Sequence, residues 1–206
     1  LFGCIYLTTP TPEECTAADP EIFTHWSGVY ERMQENDLEP EVTIAPLVSV
    51  PQLKALYKNL QNDRAVNHDG RIKDGGLFVN NDVAKNWDHL TEQTILAADT
   101  VVTTADGTKW IIQVNPGTVE APNAGAPHTD TDIHISPHVY LAAQARKLQN
   151  NQQPLDEAGW SWLHGTFDAG ARAPLGFWRR DFGQVNVGWD EVGGRDDYLG
   201  SRSPVG

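Results

Sequence analysis

The chain predicts an α+β fold, and three observations carry that prediction. An apolar stripe at i, i+4, i+7 and i+11 runs through residues 20–36, two β-rich runs flank Asp106-Gly107, and Gly and Trp become frequent over the last forty residues as helical periodicity fades. The expected architecture has N-terminal helices, a mixed central sheet and a Trp/Gly-rich C-terminal β portion, within one domain spanning residues 1–206.

The elements follow in order. Leu1-Phe2-Gly3-Cys4 has the look of the end of a lipoprotein signal, but cleavage there would remove residues still present, so Phe2 to Leu7 reads as an apolar strand. Thr11-Pro12-Glu13-Glu14 combines a capping Thr, Pro at the first helical position and Glu three residues after the cap, which starts a short helix. Asp19-Pro20 repeats the signal. From it run Ile22, Trp26, Val29 and Met33, with Phe23 and Tyr30 beside them, a stripe expected to be core. Val42 to Val50 is β-branched and reads as a strand interrupted by Pro46; Pro51 then opens a helix bearing Leu53, Leu56, Tyr57 and Leu60. A long polar connection, Gln61 to Gly76, precedes a strand at Leu77-Phe78-Val79 and a helix from Asp82 to Ala98.

Thr100–Thr104 and Lys109–Val114 form the expected hairpin. Pro116 to Pro127 has no periodicity and is the candidate internal linker. Ser136-Pro137 starts a helix that reaches Gln149, with Arg146 and Lys147 near its C-terminal end, where cations suit the helix dipole. A further helix is expected from Leu155 to Leu163, then strands at Leu175–Arg179, Gln184–Trp189 and Tyr198–Ser201.

With 206 residues, 15 Lys+Arg against 28 Asp+Glu, a net charge of −13 and 39% hydrophobic residues, the composition is that of a soluble, acidic, globular protein. It excludes a general attraction to nucleic acid or to an anionic membrane surface, both of which need a basic face. No apolar run is long enough to span a membrane. Cys4 and Cys15 do not make a disulfide framework, and a cytoplasmic setting is slightly favoured over secretion. The acidity is local: residues 1–50 hold nine acids against Arg32 alone, while residues 157–206 hold seven acids against five arginines and no lysine. Two readings of that asymmetry compete: a solvated acidic face, and an acidic face that steers a basic partner.

The densest group of metal-capable side chains is His128, Asp130, Asp132, His134 and His138. In an extended segment alternate residues share a face, so His128, Asp130 and His134, with His164 as a distal ligand, form a candidate site for a divalent transition metal, and Arg172 a candidate carboxylate clamp. That reading implies a metal-dependent hydrolase or oxygenase. Against it, side chains at i and i+2 are rooted about 7 Å apart, so four of them do not reach one ion, and a solvated strand leading into a helix cap is the competing reading. No nucleophile elbow, phosphate-binding loop or His-Glu-x-x-His pair is present. Trp160, Trp162 and Trp189, with Arg172, form a candidate ligand-binding face of the kind that stacks on sugar rings or a peptide. The leading expectation is a non-catalytic binding protein for a protein, small-molecule or sugar ligand, using that Trp-rich region or the acidic N-terminal face.

Pro154-Leu155-Asp156-Glu157-Ala158, Gly188-Trp189 and Tyr198-Leu199-Gly200-Ser201 resemble, in order, the landmarks of an uncharacterised actinobacterial domain family. The resemblance covers about the last fifty residues and departs from the family pattern at Ala158 and Tyr198. It implies a single α+β unit and no particular chemistry.

Overall fold

Capping interactions set the N-terminal helices. Thr11 Oγ1 accepts the Glu14 N–H at 3.2 Å while Glu14 Oε2 accepts the Thr11 N–H at 2.9 Å, and with Pro12 at the first position helix α1 runs Pro12–Ala18. Helix α2, Ile22–Glu35, begins two residues after Pro20, where Asp19 Oδ1 takes the Glu21 N–H at 3.0 Å. The computed structural model describes residues 9–62, 76–98, 100–118, 120–121, 125, 127–128, 134–150 and 152–201. The strand expected at Phe2–Leu7 and the polar connection over 63–75 lie outside these residues.

Strand β1, Pro40–Pro46, is shorter at its C-terminal end than its β-branched run suggested. Pro46 removes a ladder donor, and Gln52 Oε1 then accepts both the Ser49 N–H (2.9 Å) and the Ser49 hydroxyl (2.7 Å), so Val50 enters helix α3, Val50–Asn62. Strand β2 is Leu77–Val79. The expected helix 82–98 is two helices, α4 at Asn81–Lys85 and α5 at Trp87–Ala97. They divide at Asn86, whose side chain donates to the Asp82 carbonyl at 2.8 Å. The hairpin forms as expected from β3, Val101–Thr103, and β4, Lys109–Pro116; Gly107 takes φ +83° and Asp106 Oδ1 accepts the Thr108 N–H. Helix α6, Pro137–Gln149, is capped by Ser136 Oγ, which accepts the Val139 N–H at 3.1 Å.

The C-terminal portion comprises β5 (Trp160–Trp162), β6 (Arg172–Arg179), β7 (Gln184–Glu191) and β8 (Leu199–Ser201). The helix expected over 155–163 is a correction. Asp156 adopts φ +55°, outside the helical region, and strand β5 follows it.

The fold is α+β, with two sheets. One is three-stranded and antiparallel, in the order β1-β4-β3. The other is five-stranded and mixed, in the order β2-β7-β6-β5-β8, with β2 parallel to β7 and β5 parallel to β8. Helix α6 lies between them and packs on β1 and β4 on one side and on β6 and β7 on the other. Ala45 and Ile111 from the first sheet meet Val139, Tyr140, Val185 and Val187 in the main core. On the opposite face of the three-stranded sheet, Trp110 and Ile112 pack with Ile22 and Cys15, and Val114 packs with Val29 and Met33.

Three buried or half-buried glutamines hold the irregular connections against this frame. Gln113 on β4 accepts from the Ser136 N–H (3.2 Å) and donates to the His134 carbonyl (3.4 Å). Gln144 on α6 takes both backbone groups of Leu155, at 3.1 and 2.8 Å, and its amide also donates to the Tyr140 hydroxyl. Gln93 on α5 takes both backbone groups of Thr166, at 2.8 and 3.0 Å. The expected linker is tied down in the same way: Gly117 N–H bonds the Glu39 carbonyl, Ala121 N–H bonds Asp156 Oδ1 and Gly125 N–H bonds the Leu199 carbonyl. Its described residues thus join the two sheets.

Tyr140 packs on β6 at Gly176, where a Cβ would collide with the edge of its ring. Because Tyr140 is fully buried and cannot swing away, Gly176→Ala is expected to destabilise the protein by about 1–3 kcal/mol, the usual cost of overpacking. Urea unfolding of the two proteins measures the difference, and a change below about 0.5 kcal/mol contradicts the packing described.

Candidate functional site

The described histidines proposed as metal ligands do not offer a shared coordination point. His128 and His134 are both buried, and their rings stack at 4.3 Å between centroids with 29° between planes. His134 Nδ1 lies 3.0 Å from Ser201 Oγ on β8, and His128 meets the Trp162 ring edge-on at 5.4 Å. An imidazole binds a metal within its own ring plane at about 2.0–2.1 Å, and two planes stacked in this way do not meet at that distance. Asp130 and Asp132 lie outside the described residues. His164 shares the neighbourhood only through its backbone, whose N–H donates to the Ile135 carbonyl at 2.9 Å. Burial lowers the pKa of its ring, offset in part by the nearby Gln93 backbone on α5. Among the described residues no group of three or more His, Cys, Asp or Glu is placed to hold a metal ion.

The aromatic face is likewise divided. Residues 160–162 form a strand, so Trp160 and Trp162 share one side of the five-stranded sheet, where Trp162 is fully buried with Leu175 and Leu199 and Trp160 packs on Phe177 at 5.5 Å. Trp189 packs against the main core from the other side. The Arg172 guanidinium covers the Trp189 ring at 3.8 Å and pairs with Asp168 at 2.9 Å and Asp82 at 3.7 Å, so its charge is already matched. These four residues build the C-terminal sheet rather than an open surface.

What remains open is on the other side of the molecule. A groove of about 530 Å³ lies between α1, α2 and the outer face of β1 and β4. Pro12, Ile22, Trp26, Ile44 and Ile112 form its apolar walls, and Ser27, Glu31 and Gln34 bring polar groups to it. Of the six large hydrophobic side chains that are exposed among the described residues, three border this groove: Phe23 (58% exposed), Tyr30 (38%) and Val42 (43%). Phe23 and Tyr30 flank the buried stripe of α2, and their offset from that stripe was the available signal in the sequence. Val42 is exposed because β1 is a sheet edge that α2 only partly covers, which no local pattern encodes.

Cys15 also lines the groove, as a buried free thiol. Burial, and secondly the charge of Glu14, push its pKa up, which opposes thiolate chemistry. No imidazole or ammonium lines the groove among the described residues. Compared with protein-family models, curated proteins and solved structures, the chain finds no match in any of the three. No helix of the described residues is long and apolar enough to cross a membrane.

His138 is a core residue. It stacks near Trp87 at 4.9 Å, its Nε2 is 3.3 Å from Thr91 Oγ1, and burial lowers its pKa from 6.5 to about 4. The neutral ring is therefore the folded form, and its contribution is complete above pH 6.5 and is lost as pH falls toward 4. A depression of that size is worth about 3 kcal/mol. His138→Gln is expected to flatten the decline in unfolding free energy between pH 7 and pH 4, measured by urea titration at each pH. Identical pH profiles for the two proteins would contradict a buried neutral His138.

Proposed function

We propose that this protein is a non-catalytic binding protein for a small, largely apolar and non-anionic ligand, and that the groove between α1, α2 and β1–β4 is its site. One observation carries the reading: half of the exposed large hydrophobics converge on a single groove whose volume, about 530 Å³, falls in the size range of small-molecule clefts. Exposed apolar side chains scattered singly need no explanation; gathered around one concavity they do. The acidic N-terminal quarter, with nine acids against Arg32 in residues 1–50, supports the exclusion of anionic ligands. The chemistry of the walls supports binding over catalysis, since Cys15, the one thiol among the described residues, has a raised pKa and no imidazole or amine lines the groove beside it. The Trp-rich C-terminal region carries less of the argument, because its tryptophans are packed on two sides of a sheet.

Nile red, an uncharged apolar fluorophore, tests this. It is expected to bind saturably at one site, and Phe23→Asp is expected to weaken binding at least tenfold. That substitution, at an exposed position, is expected to change unfolding free energy by no more than about 0.5 kcal/mol. Fluorescence titration that shows no saturable site, or one indifferent to Phe23→Asp, removes the groove as the binding site.

A further inference from the structure

We propose that the ligand's polar end is an alkylammonium group, recognised by Glu31 together with the ring faces of Trp26 and Tyr30. This rests on the groove being the binding site and adds the chemical class of what fills it. Glu31 is the one charged side chain among the described residues that line the groove. It stands on the same side of α2 as Ser27, Tyr30 and Gln34, all of which also line the groove, as the helical repeat requires for residues one turn apart. The one base among residues 1–50, Arg32, has its guanidinium 3.5 Å from where a Gly28 Cβ would stand, and neither Gly28 nor Arg32 lines the groove. The groove therefore brings a carboxylate and two aromatic residues, Trp26 and Tyr30, to the same space, with no basic side chain among the described residues that line it.

The groove is also polarised along its length. Ile22 and Phe23 lie in the first turn of α2 and Glu31 and Gln34 near its last, a separation of about 18 Å from Ile22 to Gln34 at the α-helical rise. Beside the first turn stand Pro12 and Cys15 of α1. An apolar chain suits that end and a cationic head the other. Negative charge at Glu31 attracts an ammonium and repels a carboxylate, and the quadrupoles of Trp26 and Tyr30 favour a cation over a neutral polar group. The surrounding acids of α1 and α2 act in the same direction, screened by salt over about 10 Å at 0.1 M ionic strength.

Isothermal titration of the full chain with decyltrimethylammonium, 1-decanol and decanoate, each below its aggregation concentration, separates the outcomes. The ammonium is expected to bind one site about tenfold more tightly than the alcohol, and decanoate more weakly than either. Glu31→Gln is expected to remove most of the ammonium's advantage over decanol, and raising NaCl to 0.5 M is expected to weaken the ammonium more than the alcohol. Equal affinity for all three amphiphiles, or an ammonium affinity indifferent to Glu31→Gln, overturns the head-group assignment while the groove remains a binding site. Binding of none of them overturns the groove reading as well. A concentration-dependent dimer in sedimentation that Phe23→Asp dissociates assigns the groove to a second copy of the chain and likewise overturns the proposal.

Discussion

Irregular backbone that passes through a core must place its N–H and C=O groups on something other than a strand, and here the primary amides of three glutamines take them. Gln113, Gln144 and Gln93 each offer one acceptor and one donor to a stretch of chain, as a neighbouring strand would. A buried backbone group left without a partner costs about 1–3 kcal/mol, so each amide removes a penalty comparable to a substantial fraction of a domain's net stability. The three stand on β4, α6 and α5, and through them the chain around α6 is fixed to both sheets. Asp156 supplements them: its carboxylate takes the Ala121 N–H and the Ser161 hydroxyl, while its carbonyl takes the Trp178 N–H.

This arrangement places α6, the helix with the most buried residues, in the interior. Most of the residues of α6 from Pro137 to Gln144 are buried between the sheets, and among the described residues the outer face of the three-stranded sheet is covered by α1 and α2. Seven and fourteen residues long, they bury Trp110, Ile112 and Val114 but leave the edge strand β1 partly open at Val42. The groove is the gap that results. Its acidity has the same origin, because the solvent sides of these two helices and of β1 carry most of the N-terminal acids; Glu41 alone among them is engaged by Arg146 and Lys147 from α6.

Histidines illustrate how sequence density and function part company. His128, His134 and His138 are close in the sequence and all buried, but His128 and His134 stack on each other while His138 packs beside Trp87. A neutral imidazole is amphipathic: it stacks on His, Trp or aliphatic neighbours and satisfies a hydroxyl or a carbonyl at its edge. These rings do so at Ser201 and Thr91.

The sequence by itself determined the elements whose signals are local. The Thr11 capping box, the stripe of α2, the Asp106-Gly107 hairpin and the Ser136-Pro137 start of α6 depend on contacts within a few residues, and each forms where the chain indicates. Tertiary structure decided what those signals leave open. Trp160-Ser161-Trp162 became a strand, since Gln144 holds Leu155, Asp156 turns left-handed and β6 and β8 supply partners from elsewhere in the chain. His164 turned toward α5, Arg172 was matched by two aspartates, and the Trp residues were divided between the two sides of a sheet. The groove belongs to the same class: Phe23 and Tyr30 are visible as apolar residues beside a stripe, but only the incomplete cover of a sheet edge by two short helices leaves them facing an open cavity.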